Sequence, residues 1–119
     1  CQLGEDLFGA RFIALRDFMP LSAYQDLINS CGIVWMNHRR QQGAGNLFVA
    51  FLTKKLIITD KANPLNHTFR DWGLHVYDRS IIKKLDQFNE EELCQNRAIV
   101  LNKVTIEANR AYFETLAKL

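Results

Sequence analysis

Ile33-Val34-Trp35-Met36-Asn37-His38-Arg39-Arg40-Gln41-Gln42-Gly43-Ala44-Gly45-Asn46-Leu47-Phe48-Val49-Ala50-Phe51-Leu52 is the stretch on which the fold turns. Four consecutive apolar residues, 33–36, precede a polar loop, 37–42, and then a segment, 45–52, that is apolar nearly all round. A short unbroken apolar run is what a parallel strand covered on both faces requires. A helix apolar on every side has to be buried. The stretch therefore predicts a strand that passes through a polar corner into a buried helix, which is the first half of a βαβ unit.

The same alternation continues outward. Towards the N-terminus, 11–15 is a short apolar strand, and Pro20 opens a helix because its fixed φ suits a first turn. Leu21, Tyr24, Leu27, Ile28 and Cys31 follow at helical spacing, and Gly32 is expected to stop that helix with a left-handed cap. Towards the C-terminus, Leu56–Thr59 is a second run of buried-strand type. Asn63-Pro64 then makes an N-cap and first-turn pair for a short helix. Leu65, Phe69 and Trp72 give that helix its inner face, Gly73 ends it, and 74–77 is a fourth strand. Asp78 can cap a short helix through Ile81, Ile82 and Leu85.

Asn89 starts the last element, with Glu92 three residues on as a capping box and Glu90, Glu91 and Glu92 complementing the positive helix end. Apolar positions continue through Leu93, Ile99, Leu101, Val104, Ala108, Ala111, Tyr112 and Leu116, with a break expected near Asn102. Strands and helices alternating at these intervals predict the α/β class. The expected architecture is a Rossmann-like parallel sheet of about four strands, flanked by helices on both faces through right-handed crossovers.

The 119 residues suffice for one domain, so 1–119 is taken as a single unit. With 48% hydrophobic and 24% charged residues, the composition is that of a soluble globular domain. A net charge of +2 gives no bulk electrostatic case for nucleic acid as a partner. The longest apolar run, 47–52, falls far short of the roughly 18 residues that span a bilayer. Cys1, Cys31 and Cys94 are odd in number and lack metal-type spacing. Cys31 and Cys94 are expected as small buried residues in a reducing, cytoplasmic setting. The histidines add no metal spacing, so neither a metal nor a cofactor is expected, and His67 and His75 stand isolated. No Ser-His-Asp or Cys-His set can be assembled. Trp35, Phe48 and Phe51 are expected in the core.

Ligands of open parallel sheets bind beyond the carboxyl ends of strands. After Met36 the chain presents His38, Arg39 and Arg40, then Gln41, Gln42, Gly43, Gly45 and Asn46 as the buried helix begins. The arginines are permanently charged forks suited to phosphate. The glycines let the backbone approach a ligand closely. The helix start offers free N–H groups and a positive dipole end. A diphosphate fits all three features; a solvated arginine pair in an ordinary glycine turn is the plainer alternative. His38 is compatible with donation to a phosphate or with filling the turn. Asn63 and Pro64, just past the next strand end, suit either a helix cap or contact with a sugar or base, with Asp60 and Lys61 nearby.

Phe18-Met19-Pro20-Leu21 with Tyr24, and then Arg40-Gln41-Gln42-Gly43-Ala44-Gly45-Asn46-Leu47, resembles the 4-acetamido-4,6-dideoxygalactose (Fuc4NAc) transferase family of enterobacterial common antigen synthesis. The Asn63-Pro64 loop is similar as well, so the resemblance covers roughly residues 8–77. It implies the C-terminal, nucleotide-sugar-binding part of a two-domain GT-B glycosyltransferase. Such enzymes move an amino-sugar from a dTDP-sugar to a lipid-linked saccharide at the bacterial inner membrane, as cytoplasmic, membrane-peripheral hexosyltransferases. By resemblance, Arg40, Gln41, Gln42, Gly43 and Gly45 line the donor diphosphate, while Asn46 stands where Thr is expected. The resemblance further implies that the acceptor domain and two βα units of the donor domain lie outside the chain. The fragment should then be inactive alone and prone to self-association through an exposed strand edge.

Two other readings follow from particular residues. A receiver-like regulatory module needs an acidic cluster at a strand end, where this chain has His38, Arg39 and Arg40. A lipoprotein or interaction role is prompted by Cys1 alone.

Overall fold

The computed structural model describes residues 1–87, 89–106 and 110. The chain is mixed α/β, with a two-stranded parallel sheet at its centre. Strand β1 is Ile33–Met36 and strand β2 is Leu56–Thr59, joined by helix α3, Ala44–Leu52, so the expected βαβ unit forms. Ile33 pairs with Leu56 and Met36 with Thr59, which brings both carboxyl ends to one edge. Helix α1, Gln2–Phe8, and helix α2, Leu21–Ser30, precede β1; helix α4, Leu65–Asp71, and helix α5, Glu90–Lys103, follow β2.

α3 packs between β2 and α5. Its Leu47, Ala50 and Phe51 are buried together with Ile57 of β2, Phe69 of α4, Leu74 and Val100 of α5. Phe51 meets Phe69 edge-on with centroids 5.2 Å apart, an arrangement aromatic quadrupoles favour. Phe48 stacks on Trp72 at 6.0 Å. All four residues of β2 are buried, as a strand covered on both faces requires.

Several expectations need correction. Among the described residues the sheet has two strands, not four. Segment 74–77 joins it through a single parallel bridge, Ile58 to Tyr77, with Tyr77 donating to the Ile57 carbonyl and accepting from Thr59 N–H. Elsewhere its backbone turns to α5: Asn96 accepts from His75 N–H at 2.7 Å and donates to the His75 carbonyl at 2.8 Å. Segment 11–15 forms no strand. Gly9–Arg11 is a 3-10 turn continuing α1, and Ile13 is 79% exposed. Local packing dominates there, with the Phe12 ring lying against Gly4.

β1 is covered on one face only. Val34 and Met36 pack on the core, while Ile33 and Trp35 are exposed, which moves Trp35 out of the expected core. Cys94 is exposed and Cys31 half-buried, so the expected pair of buried thiols does not form.

Helix ends follow local chemistry. α2 begins after Pro20 but ends at Ser30 with Cys31 extended, so Gly32 is no left-handed cap. Gly73 does take positive φ, 77°, after α4. Asp78 accepts from Ser80 N–H as a cap, and the following segment, Arg79–Gln87, is 3-10 in character and kinked at Lys84. Asn89 caps α5 by accepting from Glu91 N–H. The reciprocal half of the capping box is replaced, because Glu92 accepts from the Tyr77 hydroxyl and lies 3.8 Å from His75 Nδ1. α5 ends at Lys103, near the break expected at Asn102. Ala108, Ala111, Tyr112 and Leu116 lie outside the described residues. Among the described residues no helix is long and apolar enough to cross a membrane.

Candidate functional site

The parallel register sends three loops from one edge: 37–43 after β1, 60–64 after β2, and 78–80 after the Tyr77 bridge. Between them opens a cleft of about 770 Å³, lined by Asn37 and Arg39, by Thr59, Asp60 and Lys61, and by Asp78, Arg79, Ser80 and Lys83. A shallower depression of about 350 Å³ lies alongside, lined by Asn37, His38, Arg39, Arg40 and Gln42. Asn37 and Arg39 border both, so the depression adjoins the cleft at the end of β1.

The loop after β1 is organised by its own residues. Arg40 Nε donates to Gln42 Oε1 at 3.4 Å, and Arg39 Nε faces Asp60 Oδ2 at 3.5 Å with its side chain 82% exposed. His38 Nδ1 is buried with no hydrogen-bond partner among the described residues. Gly43 caps α3 in the left-handed region, φ 69° and ψ 25°, and its carbonyl accepts from Leu47 N–H. The amides of Ala44, Gly45 and Asn46 precede the first intrahelical bond and are therefore free donors. Gly45 and Asn46 are exposed at this helix start but line neither hollow.

Gly43 has a steric reason to be glycine. A Cβ there would sit 2.5 Å from Met36 Cε, and the positive φ disfavours any L side chain. The methionine tip can rotate away, so Gly43→Ala is expected to cost about 1–2 kcal/mol, mainly from the backbone. Gly43→Asn should cost less, and urea unfolding measures both.

Asp60 and Asp78 shape the other two loops in the same way. Asp60 Oδ1 accepts from Ala62 N–H at 2.8 Å, and Asp78 Oδ1 accepts from Ser80 N–H at 2.8 Å. The Ala62 amide, then the Arg39 and Arg79 charges, hold the Asp60 carboxyl below its ordinary range. The Ser80 amide and hydroxyl, then Lys61, do the same for Asp78. Lys61 Nζ lies 3.3 Å from Asp78 Oδ2, which ties the second loop to the third.

Asn63 is 1% exposed, and its Oδ1 accepts from Leu65 N–H, so the side chain serves as a helix cap and presents no surface to a ligand. Pro64 is exposed at the start of α4 and lines neither hollow. The structure thus gathers His38, Arg39, Arg40 and Gln42 around one depression. Gln41, Gly43, Gly45, Asn46, Asn63 and Pro64 lie outside both linings. Thr59, Arg79, Ser80 and Lys83 were not singled out in the sequence for the site, and Asp78 was read only as a cap. Their signal was present, because parallel strands place every post-strand loop on the same edge. Among the described residues, no group of three or more His, Cys, Asp or Glu is placed to hold a metal ion. The chain matches no family model, no curated protein and no solved structure.

Proposed function

We propose that the chain is the nucleotide-sugar-binding part of a bacterial glycosyltransferase, holding the donor's diphosphate at the corner between β1 and α3. The observation that carries this reading is that the Arg39–Arg40–Gln42 depression adjoins the cleft at the carboxyl ends of the parallel strands, with Asn37 and Arg39 bordering both. A volume of about 770 Å³ falls in the range of small-molecule sites. Permanently charged forks suit a diphosphate. In sugar transfer the nucleotide diphosphate leaves with its negative charge increased. Fixed cations at that position lower the barrier by stabilising the charge as it develops.

The resemblance of the Arg40–Leu47 run to Fuc4NAc transferases supports dTDP-linked amino-sugar as the donor class and a lipid-linked saccharide as the acceptor. It supports membrane-peripheral work in surface polysaccharide synthesis for the whole enzyme. The finer fold proposed with it is one half of a GT-B enzyme, in which β1, β2 and the Tyr77 segment belong to a Rossmann-like sheet.

Titration calorimetry of the full chain with dTDP and UDP tests the proposal. Binding is expected, and Arg40→Ala should weaken it by about tenfold, the worth of one charge-assisted contact. Absence of binding, or binding indifferent to Arg40→Ala in a variant whose circular dichroism is unchanged, would overturn it.

A further inference from the structure

We infer that Arg79 and Lys83, with Lys61, form a second phosphate-recognition wall in the cleft, one that selects a doubly negative group. The inference rests on the nucleotide-sugar reading only for the identity of the molecule that carries the phosphate.

The charge pattern of the cleft carries the argument. Arg39, Lys61, Arg79 and Lys83 line it against Asp60 and Asp78, which leaves two positive charges in excess. Both carboxylates are already committed. Each gives one oxygen to a backbone amide of its own loop and the other to Arg39 or Lys61. They therefore act as loop organisers, and the Arg79 and Lys83 heads are left to meet a ligand. Lys61 is held only by an exposed pair, its side chain 79% exposed, and such pairs contribute little and exchange readily. Arg79 and Lys83 form no ion pair among the described residues.

Two excess positive charges match a terminal phosphoryl or diphosphate group better than a single carboxylate.

Titration of the full chain with inorganic pyrophosphate, dTDP and thymidine tests this. Pyrophosphate is expected to bind and thymidine not to. The double variant Arg79→Gln/Lys83→Gln should weaken pyrophosphate by about tenfold or more and flatten the dependence of affinity on salt. The charge-keeping pair Arg79→Lys/Lys83→Arg should retain most of the affinity. All these side chains are exposed, so circular dichroism should not change. Failure of pyrophosphate to bind, or equal binding by the glutamine variant, overturns the inference. Arg40-dependent dTDP binding untouched by the glutamine variant overturns it too, while leaving the nucleotide-sugar reading in place. Pyrophosphate binding lost in the glutamine variant, without dTDP or UDP binding, supports the inference and removes that reading.

Discussion

Replacing Phe51 by alanine is expected to destabilise the fold by about 3–5 kcal/mol, the cost of truncating a fully buried aromatic. Phe51 is 0% exposed and lies on α3, the element packed against both β2 and α5. It contacts Phe69 edge-on at 5.2 Å, so the substitution removes the aromatic pair as well as the buried area. A domain of this size has a total stability of roughly 5–15 kcal/mol, so Phe51→Ala should leave a marginal fold. Urea unfolding followed by circular dichroism would show the midpoint falling with an unchanged slope. Phe51→Leu keeps most of the volume and should fold with a smaller loss. A midpoint for Phe51→Ala within error of the parent would place the core elsewhere.

The second large effect is expected at Asn96. Its side chain is 1% exposed and closes two hydrogen bonds on the backbone of His75, accepting from N–H and donating to C=O. Asn96→Ala leaves the N–H and C=O of half-buried His75 without these partners, at about 1–3 kcal/mol each. A total loss of about 2–6 kcal/mol follows. Asn96→Leu should cost a similar amount despite its apolar character, because volume does not replace the two bonds. Chemical denaturation of both variants distinguishes this from a packing effect: recovery of stability by leucine would show that shape alone matters at this position. The bonds also matter for the site. They fix segment 74–77, from whose end Asp78, Arg79 and Ser80 reach the cleft.

The central unit was legible because its physical requirements are local. Apolar runs at 33–36 and 56–59, a helix apolar on nearly every side and a polar corner between them dictate β1, α3 and β2. The Asn63, Asp78 and Asn89 caps were legible too, since each depends on a side chain reaching an amide two residues away. Segments 11–15 and 74–77 misled because an apolar run states a preference for burial without naming the partner. The first found none in the sheet, and the second divided its backbone between one bridge to Ile58 and the side chain of Asn96. Trp35 misled for a related reason, since coverage of the second face of β1 depends on another element lying over it.

The candidate site divides along the same line. Chain order alone placed Arg39, Arg40 and Gln42 at a strand end ahead of a helix start. Only the tertiary arrangement showed that Asn63 is buried. Only it drew Lys61, Arg79 and Lys83 into the cleft that Arg39 borders. The sequence by itself determined the β1–α3–β2 unit and the Asn63, Asp78 and Asn89 caps, because strand-to-helix patterning and capping act over a few residues. Which loops face one another was decided by the parallel register of β1 and β2 and by the Tyr77 bridge, contacts between residues far apart in the chain.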